Sequence, residues 1–207
     1  MALTVALVGA ESTGKSTLSL QLAATLRGRG LRATAVPEVL RAWCGREGRE
    51  PRPEEHLAIA QEQEAHVQAA ALAHDVVIAD TTALVVLAYS GIAFPDHPLH
   101  RFAVERQRAY GLTLLAGLDL PWVADGLHRD VATRELVDTQ LRGLLQQHGI
   151  AYRVVYGQGD ERQQQALVPV LEALGERRQP PPVRWQGVCE KCSDPDCEHR
   201  LFAMLRT

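Results

Sequence analysis

Aromatic side chains are scarce in this chain: Phe, Tyr and Trp together make 5% of its 207 residues, so few rings are available as stacking faces. No apolar run approaches the ~18 residues needed to cross a bilayer, and no basic, then apolar, leader opens the chain. That excludes a helical membrane span and predicts a soluble, cytoplasmic protein. Cysteine is also rare, with four in all, three of them crowded between Cys189 and Cys197, which excludes a disulfide framework and fits a metal site. No excess of positive charge exists. The 22 Lys and Arg against 25 Asp and Glu leave a net charge of −3, which removes the global electrostatic reason to expect a nucleic-acid partner. Internal repeats and heptads are missing as well. What is present is an ordinary globular composition, 46% hydrophobic and 23% charged, of a length that predicts one domain with a small appendage.

Leu3 to Val8 is a short apolar run rich in β-branched residues, and it predicts a buried parallel strand. A helix is expected from Lys15 to about Leu26, stopped by Gly28 and Gly30, then a strand from Leu31 to Val36 closed by Pro37. Val39 to Trp43 starts another helix. The Gly- and Arg-rich residues 45–52 read as a mobile loop, and one long helix is expected from Pro53 to His74. Val76 to Asp80 is a second continuous apolar run, ending in a carboxylate. Helices near 83–89, 100–109, 134–148 and 163–174 then alternate with strands at 112–115 and 152–156. Alternation of this kind implies an α/β domain, a mainly parallel sheet with helices on both faces. Residues 1–176 are read as that domain, 177–183, with the prolines Pro180 to Pro182, as a stiff linker, and 184–207 as a cysteine-bearing tail.

Gly9-Ala10-Glu11-Ser12-Thr13-Gly14-Lys15-Ser16 matches G-x-x-x-x-G-K-[ST] between a predicted strand and a predicted helix. Glycines there let successive backbone N–H groups turn inward around a phosphate, and the helix start adds positive potential. The loop residues Gly9, Glu11, Ser12, Thr13 and Gly14 are therefore expected at the phosphates of ATP, with Lys15 on the β- and γ-phosphates and Thr17 assisting the helix start. Ser16 and Asp80 are the expected holders of Mg²⁺. Glu38, just past the second strand, and Arg41 one turn later suit a proton acceptor and a charge partner, and either Glu38 or Asp80 is a candidate base.

Pro121-Trp122-Val123-Ala124-Asp125-Gly126, taken with the phosphate loop, Glu38 with Arg41, and Asp80-Thr81, resembles the ribosylnicotinamide kinase domain of NadR-type proteins over residues 1–176. The resemblance implies a P-loop NTPase fold of the nucleoside-kinase kind, in which ATP phosphorylates the ribose 5′-hydroxyl of nicotinamide riboside. It also implies a lid beginning at Asp125-Gly126, with Arg129 and Arg134 as its candidate arginines. Since the chain starts directly at its first strand, no second, adenylylating activity is expected. For an aromatic base, Trp43, Tyr89, Phe94 and Trp122 are the candidate stacking rings, and Glu38, Arg41, Asp80 and Asp125 complete the expected acceptor contacts.

The tail carries Cys189-x-x-Cys192-x₄-Cys197-x-His199, a ligand set for tetrahedral Zn²⁺ of structural type. The tight second spacing leaves open an iron–sulfur centre, or a fourth ligand from His100 or Cys44. Such a tail suits a protein partner or self-association. A competing expectation is therefore a regulatory ATPase whose nucleotide state governs that tail.

Overall fold

A computed structural model describes residues 2–92, 94–123 and 131–175. Among them are five strands, β1 (Leu3–Val8), β2 (Ala33–Val36), β3 (Val76–Asp80), β4 (Leu112–Ala116) and β5 (Arg153–Val155). Seven helices separate and follow these strands: α1 (Lys15–Gly28), α2 (Val39–Glu47), α3 (His56–Ala71), α4 (Ala83–Ser90), α5 (Pro98–Arg108), α6 (Val131–Gln147) and α7 (Gly159–Ala173). Asp125, Arg129, Cys189, Cys192, Cys197 and His199 lie outside the described residues. Met1–Glu176 form one compact unit.

The sheet runs β2-β3-β1-β4-β5, and every pairing is parallel. Parallel neighbours must be joined by crossovers, which carry the helices to the two faces. Side chains then divide by the period of two. Val5 and Leu7 of β1 join Ile78, Leu114 and Val155 under α1 and α7, while Ala6, Val8 and Leu115 pack against α2 to α6. Coverage on both sides is why β1 and β3 read as unbroken apolar runs rather than alternating ones. On α1 the fully or nearly fully buried Leu18, Leu22 and Leu26 stand four residues apart, one stripe against the sheet.

No helix among the described residues is long and apolar enough to cross a membrane. The expected loop at 45–52 is shorter and better held than its composition suggests. α2 continues through Gly45 to Glu47 and stops at Gly48, whose φ of +66° terminates it with an N–H donated to the Cys44 carbonyl. Beyond it the Arg49 guanidinium grips both oxygens of Glu55 at 2.7 and 2.8 Å and lies 4.8 Å over the Trp43 ring. Arg49 holds the Glu55 carboxyl down at about 2. Residues 53–55 form a turn, so α3 begins at His56, three residues later than the proline suggested.

Candidate functional site

The C-terminal ends of β1, β2 and β3 lie side by side, with Leu7 paired to Asp80 and Val36 to Ala79. Three sequence-distant carboxylates and the loop lysine therefore meet at one sheet edge. Residues 9–14 turn the chain from β1 into α1, and the turn requires two glycines for different reasons. Gly9, at φ +150°, sits so close to β4 that a Cβ would stand 3.1 Å from both the Cβ and the carbonyl oxygen of Ala116. Gly14, at φ +74°, is the left-handed residue before α1, where a Cβ would meet Leu120 at 2.9 Å. No side chain caps that helix start, so its first N–H groups are left for an anion.

Ser12 to Thr17, with Arg41 and Val123, line an open cleft of about 230 Å³. Lys15 Nζ donates to the Ala10 carbonyl at 2.7 Å, as does Thr13 Oγ1. Burial lowers the Lys15 ammonium from its ordinary value, and the nearby Glu38 and Asp80 carboxylates oppose that. Asp80 is 4% exposed. Burial pushes its carboxyl up, against the opposing influence of the Ser16 hydroxyl and the Lys15 charge, and its Oδ1 has no hydrogen-bond partner among the described residues. A buried carboxylate oxygen without a donor, beside a serine hydroxyl, is a hard oxygen set of the kind Mg²⁺ takes, so these residues fit that ion.

Thr81 then takes φ +82°, unusual for a β-branched residue, and turns the chain into α4 with its N–H on the Leu7 carbonyl at 3.1 Å. Strain of this size, about 1–3 kcal/mol, persists only where surroundings impose it. α3 supplies part of that constraint through two adjacent polar residues. Glu64 Oε1 accepts the Ala83 N–H at 2.9 Å, and its Oε2 accepts the Tyr110 hydroxyl at 3.0 Å. Gln63 grips both sides of Glu38, accepting the Val39 N–H at 2.8 Å and donating to the Pro37 carbonyl at 3.4 Å. Gln107 of α5 accepts from the Thr82 hydroxyl at 2.7 Å and donates to Thr113 of β4 at 2.9 Å. Glu38 itself begins α2, 11% exposed, with Arg41 Nε 3.3 Å from its Oε2.

The opposite wall of the phosphate loop rests on Arg162, in the first turn of α7. Its guanidinium donates to the Thr13 carbonyl at 2.8 Å, the Gly157 carbonyl at 3.1 Å and Asp119 Oδ1 at 3.0 Å, tying loop, β4 end and β5 end together. Neither Gln63, Glu64, Gln107 nor Arg162 was marked by the sequence. Each is a helix-favouring polar residue whose spacing equals that of a solvated face, and only its burial distinguishes it.

The remaining expected residues are not all at the cleft. Trp43 is packed among the core residues of α2 to α6, its ring covered by Arg49, and is not a stacking face of the cleft. Phe94 is 75% exposed. Tyr89 donates to Glu11 Oε2 at 2.5 Å, and Trp122 is half-buried with a buried Nε1 that lacks a partner among the described residues. Arg134 is 4% exposed and donates to the Leu120 carbonyl at 2.8 Å, which makes it a brace beneath residues 118–120 rather than an exposed lid cation. Ser12 ties the next residues, its hydroxyl donating to the Val123 carbonyl at 2.7 Å. Of the proposed fourth metal ligands, His100 is buried edge-on to His148 and Cys44 is buried in the core, where burial pushes its thiol up. Among the described residues no group of three or more His, Cys, Asp or Glu side chains is placed to hold a metal ion.

A parallel sheet of this order, with a glycine-rich phosphate loop after β1 and a carboxylate ending β3, defines a P-loop NTPase fold. The chain belongs to the AAA domain family (AAA_28), which matches residues 4–162. No curated protein matches it in sequence. Among solved structures it is similar to NadR protein in complex with NR, at 22% identity and a TM-score of 0.69 over 84% of this chain and 52% of that one. NadR protein in complex with NAD and AMP-PNP is similar at 19% identity and 0.65, over 87% and 52%. Thymidylate kinase from Ehrlichia chaffeensis matches at 15% and 0.56, over 84% and 98%. This chain spans about half the length of the NadR structures.

Proposed function

We propose that this protein is an ATP-dependent kinase of a small hydroxyl-bearing molecule, with the ribose 5′-hydroxyl of nicotinamide riboside, or of a related nucleoside, as acceptor. The observation that carries the reading is a second carboxylate beside the phosphate cleft. Glu38, on a different strand end from Asp80, pairs at 3.3 Å with Arg41, which lines the cleft, and a carboxylate so placed can take the proton of an acceptor hydroxyl. NadR and thymidylate kinase folds lend the reading support.

In this proposal the N–H groups of residues 12–17 and Lys15 hold the ATP phosphates, and the burial of Lys15 strengthens its field where charge develops. Ser16 and Asp80 would hold Mg²⁺, which would supply positive charge against the charge developing on the phosphates. Glu38 takes the acceptor proton while Arg41 orients it. Asp125 and Arg129 form the lid, Arg134 positions its entry through Leu120, and Trp122 lends an indole face. The organisation into domain 1–176, linker 177–183 and tail 184–207 belongs to the same proposal, with one structural Zn²⁺ on Cys189, Cys192, Cys197 and His199, countable by metal analysis.

The test is transfer of the γ-phosphate from ATP to nicotinamide riboside and a panel of nucleosides, read by mass spectrometry with Lys15→Ala as control. Product with the wild type and none with Lys15→Ala supports the kinase. ATP hydrolysis with no phosphorylated acceptor would overturn it in favour of a regulatory ATPase.

A further inference from the structure

A nucleotide brings several negative charges to the phosphate cleft, and two carboxylates, Glu38 and Asp80, already stand at the same sheet edge. Binding there requires cations that face the opening. Of the described residues lining it, Ser12 to Thr17 with Arg41 and Val123, the cations are Lys15 and Arg41. They differ in kind. Lys15 is 7% exposed, its Nζ is bonded to the Ala10 carbonyl inside the loop, and burial weighs against its charge. Arg41 comes from outside the loop, from the first turn of α2, with a half-exposed side chain and a guanidinium that keeps its charge at every working pH.

Arg41 Nε meets Glu38 Oε2 at 3.3 Å. An i,i+3 pair of this length on a half-exposed arginine adds little to stability, so holding α2 together gives Arg41 little to do. Other arginines near the loop are committed elsewhere: Arg134 is buried on the Leu120 carbonyl, and Arg162 grips the Thr13 carbonyl from behind. We propose that the Arg41 guanidinium binds the γ-phosphoryl group of ATP and stays on it through transfer, which makes Arg41 a catalytic residue as well as the partner of Glu38. One turn of α2 then carries both the base and a cation for the phosphorus that the hydroxyl attacks. The acceptor oxygen bonds to the γ-phosphorus as the bond from that phosphorus to the β,γ-bridging oxygen breaks. The hydroxyl proton goes to Glu38, ADP leaves with the electron pair, and Arg41 exchanges no proton but offsets the charge on the equatorial oxygens. The proposal rests on the kinase reading above and adds a phosphate contact to a residue given there to the acceptor side.

The experiment titrates the full chain with ADP and with AMP-PNP, each with Mg²⁺, by calorimetry. It compares the wild type, Arg41→Ala, Arg41→Lys and Arg46→Ala, each checked for native circular dichroism; Arg46 is an exposed arginine of the same helix, paired with Glu47. AMP-PNP carries a γ-phosphoryl group and ADP does not. Arg41→Ala is expected to weaken AMP-PNP about 10- to 100-fold, the range for a hydrogen bond to a charged group, with ADP held within about twofold. Arg46→Ala should change neither. Arg41→Lys, which keeps the charge and loses the fork, should recover only part of the loss, and Arg41→Gln serves if Arg41→Ala fails to fold. The difference between the two nucleotides should persist when Arg41→Ala is combined with Glu38→Gln, because a contact to phosphate does not pass through Glu38. In transfer assays free guanidinium should restore part of the rate of Arg41→Ala and none of that of Glu38→Gln. Equal weakening of ADP and AMP-PNP, AMP-PNP binding unchanged by Arg41→Ala, or an effect that disappears in the Glu38→Gln background would overturn the proposal. Transfer to no acceptor removes the kinase reading, and the titrations, which need no acceptor, then uphold or overturn the γ-phosphoryl contact by themselves.

Discussion

Glu38 and Asp80 are both carboxylates at strand ends, and their surroundings separate them. Asp80 is buried, bonded by Ser16 and pushed toward the neutral form, whereas Glu38 begins α2 beside a half-exposed arginine. A base must take a proton from a hydroxyl that arrives from solution, so Glu38 suits the task better. Glu38→Gln is expected to lower kcat about 10²- to 10⁴-fold with ATP affinity unchanged, measured by steady-state transfer and calorimetric ATP titration. Wild-type turnover in that variant would assign the proton to Asp80. Arg162 acts differently, since it touches the phosphate loop only from behind, through the Thr13 carbonyl. Removing it takes a donor from the Thr13, Gly157 and Gly117 carbonyls and leaves Asp119 with only the Gly157 N–H, so Arg162→Ala should cost about 3 kcal/mol in urea unfolding and weaken ATP binding, while Arg153→Ala, whose partner pair is exposed, should do neither.

At the scale of elements, α3 sets where α2 and α4 begin. Gln63 and Glu64, neighbours in sequence, each take one helix-start N–H, and so fix Glu38 on one side and Asp80-Thr81 on the other. Burial raises the Glu64 carboxyl above its ordinary 4.5, against the bonds from Ala83 and Tyr110 and the charge of Arg106. The folded state therefore holds this proton more tightly than the unfolded chain does. Below 4.5 both states are protonated and the group costs nothing; as the pH climbs through 4.5 to the raised folded value, stability falls by its contribution. The stability difference between wild type and Glu64→Gln should accordingly shift against the wild type from pH 4 to pH 7 in urea titrations. A difference that does not change with pH would show that Glu64 titrates normally.

For the whole molecule, the sheet order explains why ligand chemistry gathers where it does. β1 lies between β3 and β4, so the chain departs to one side of β1 and then to the other, and the opening between those crossovers is the crevice where parallel α/β sheets take ligands. Phosphate loop, Asp80 and Glu38 reach it from three strands, and Ser12 and Arg134 draw residues 120–123 to its rim across 111 and 14 positions of sequence. Met1–Glu176 hold both core faces of this sheet. A fragment ending at residue 176 should therefore melt cooperatively and keep transfer to the acceptor; loss of folding on truncation would tie the tail to the core.

Local chemistry sufficed for the elements that announce themselves. The apolar runs at 3–8 and 76–80, the glycine-rich loop between strand and helix, and the carboxylates ending two strands are properties of contiguous residues, and the structure carries all of them. Even there, composition misjudged 45–52, because Arg49 finds Trp43 and Glu55 only in the folded chain. Strand order, the burial of Arg134 under Leu120, the packing of Trp43 into the core, the brace of Gln63, Glu64, Gln107 and Arg162, and the bond from Tyr89 to Glu11 were decided by tertiary structure alone. Periodicity records whether a residue faces water or core. It does not record which distant donor or acceptor waits on that face, and a buried polar residue takes its role from that partner.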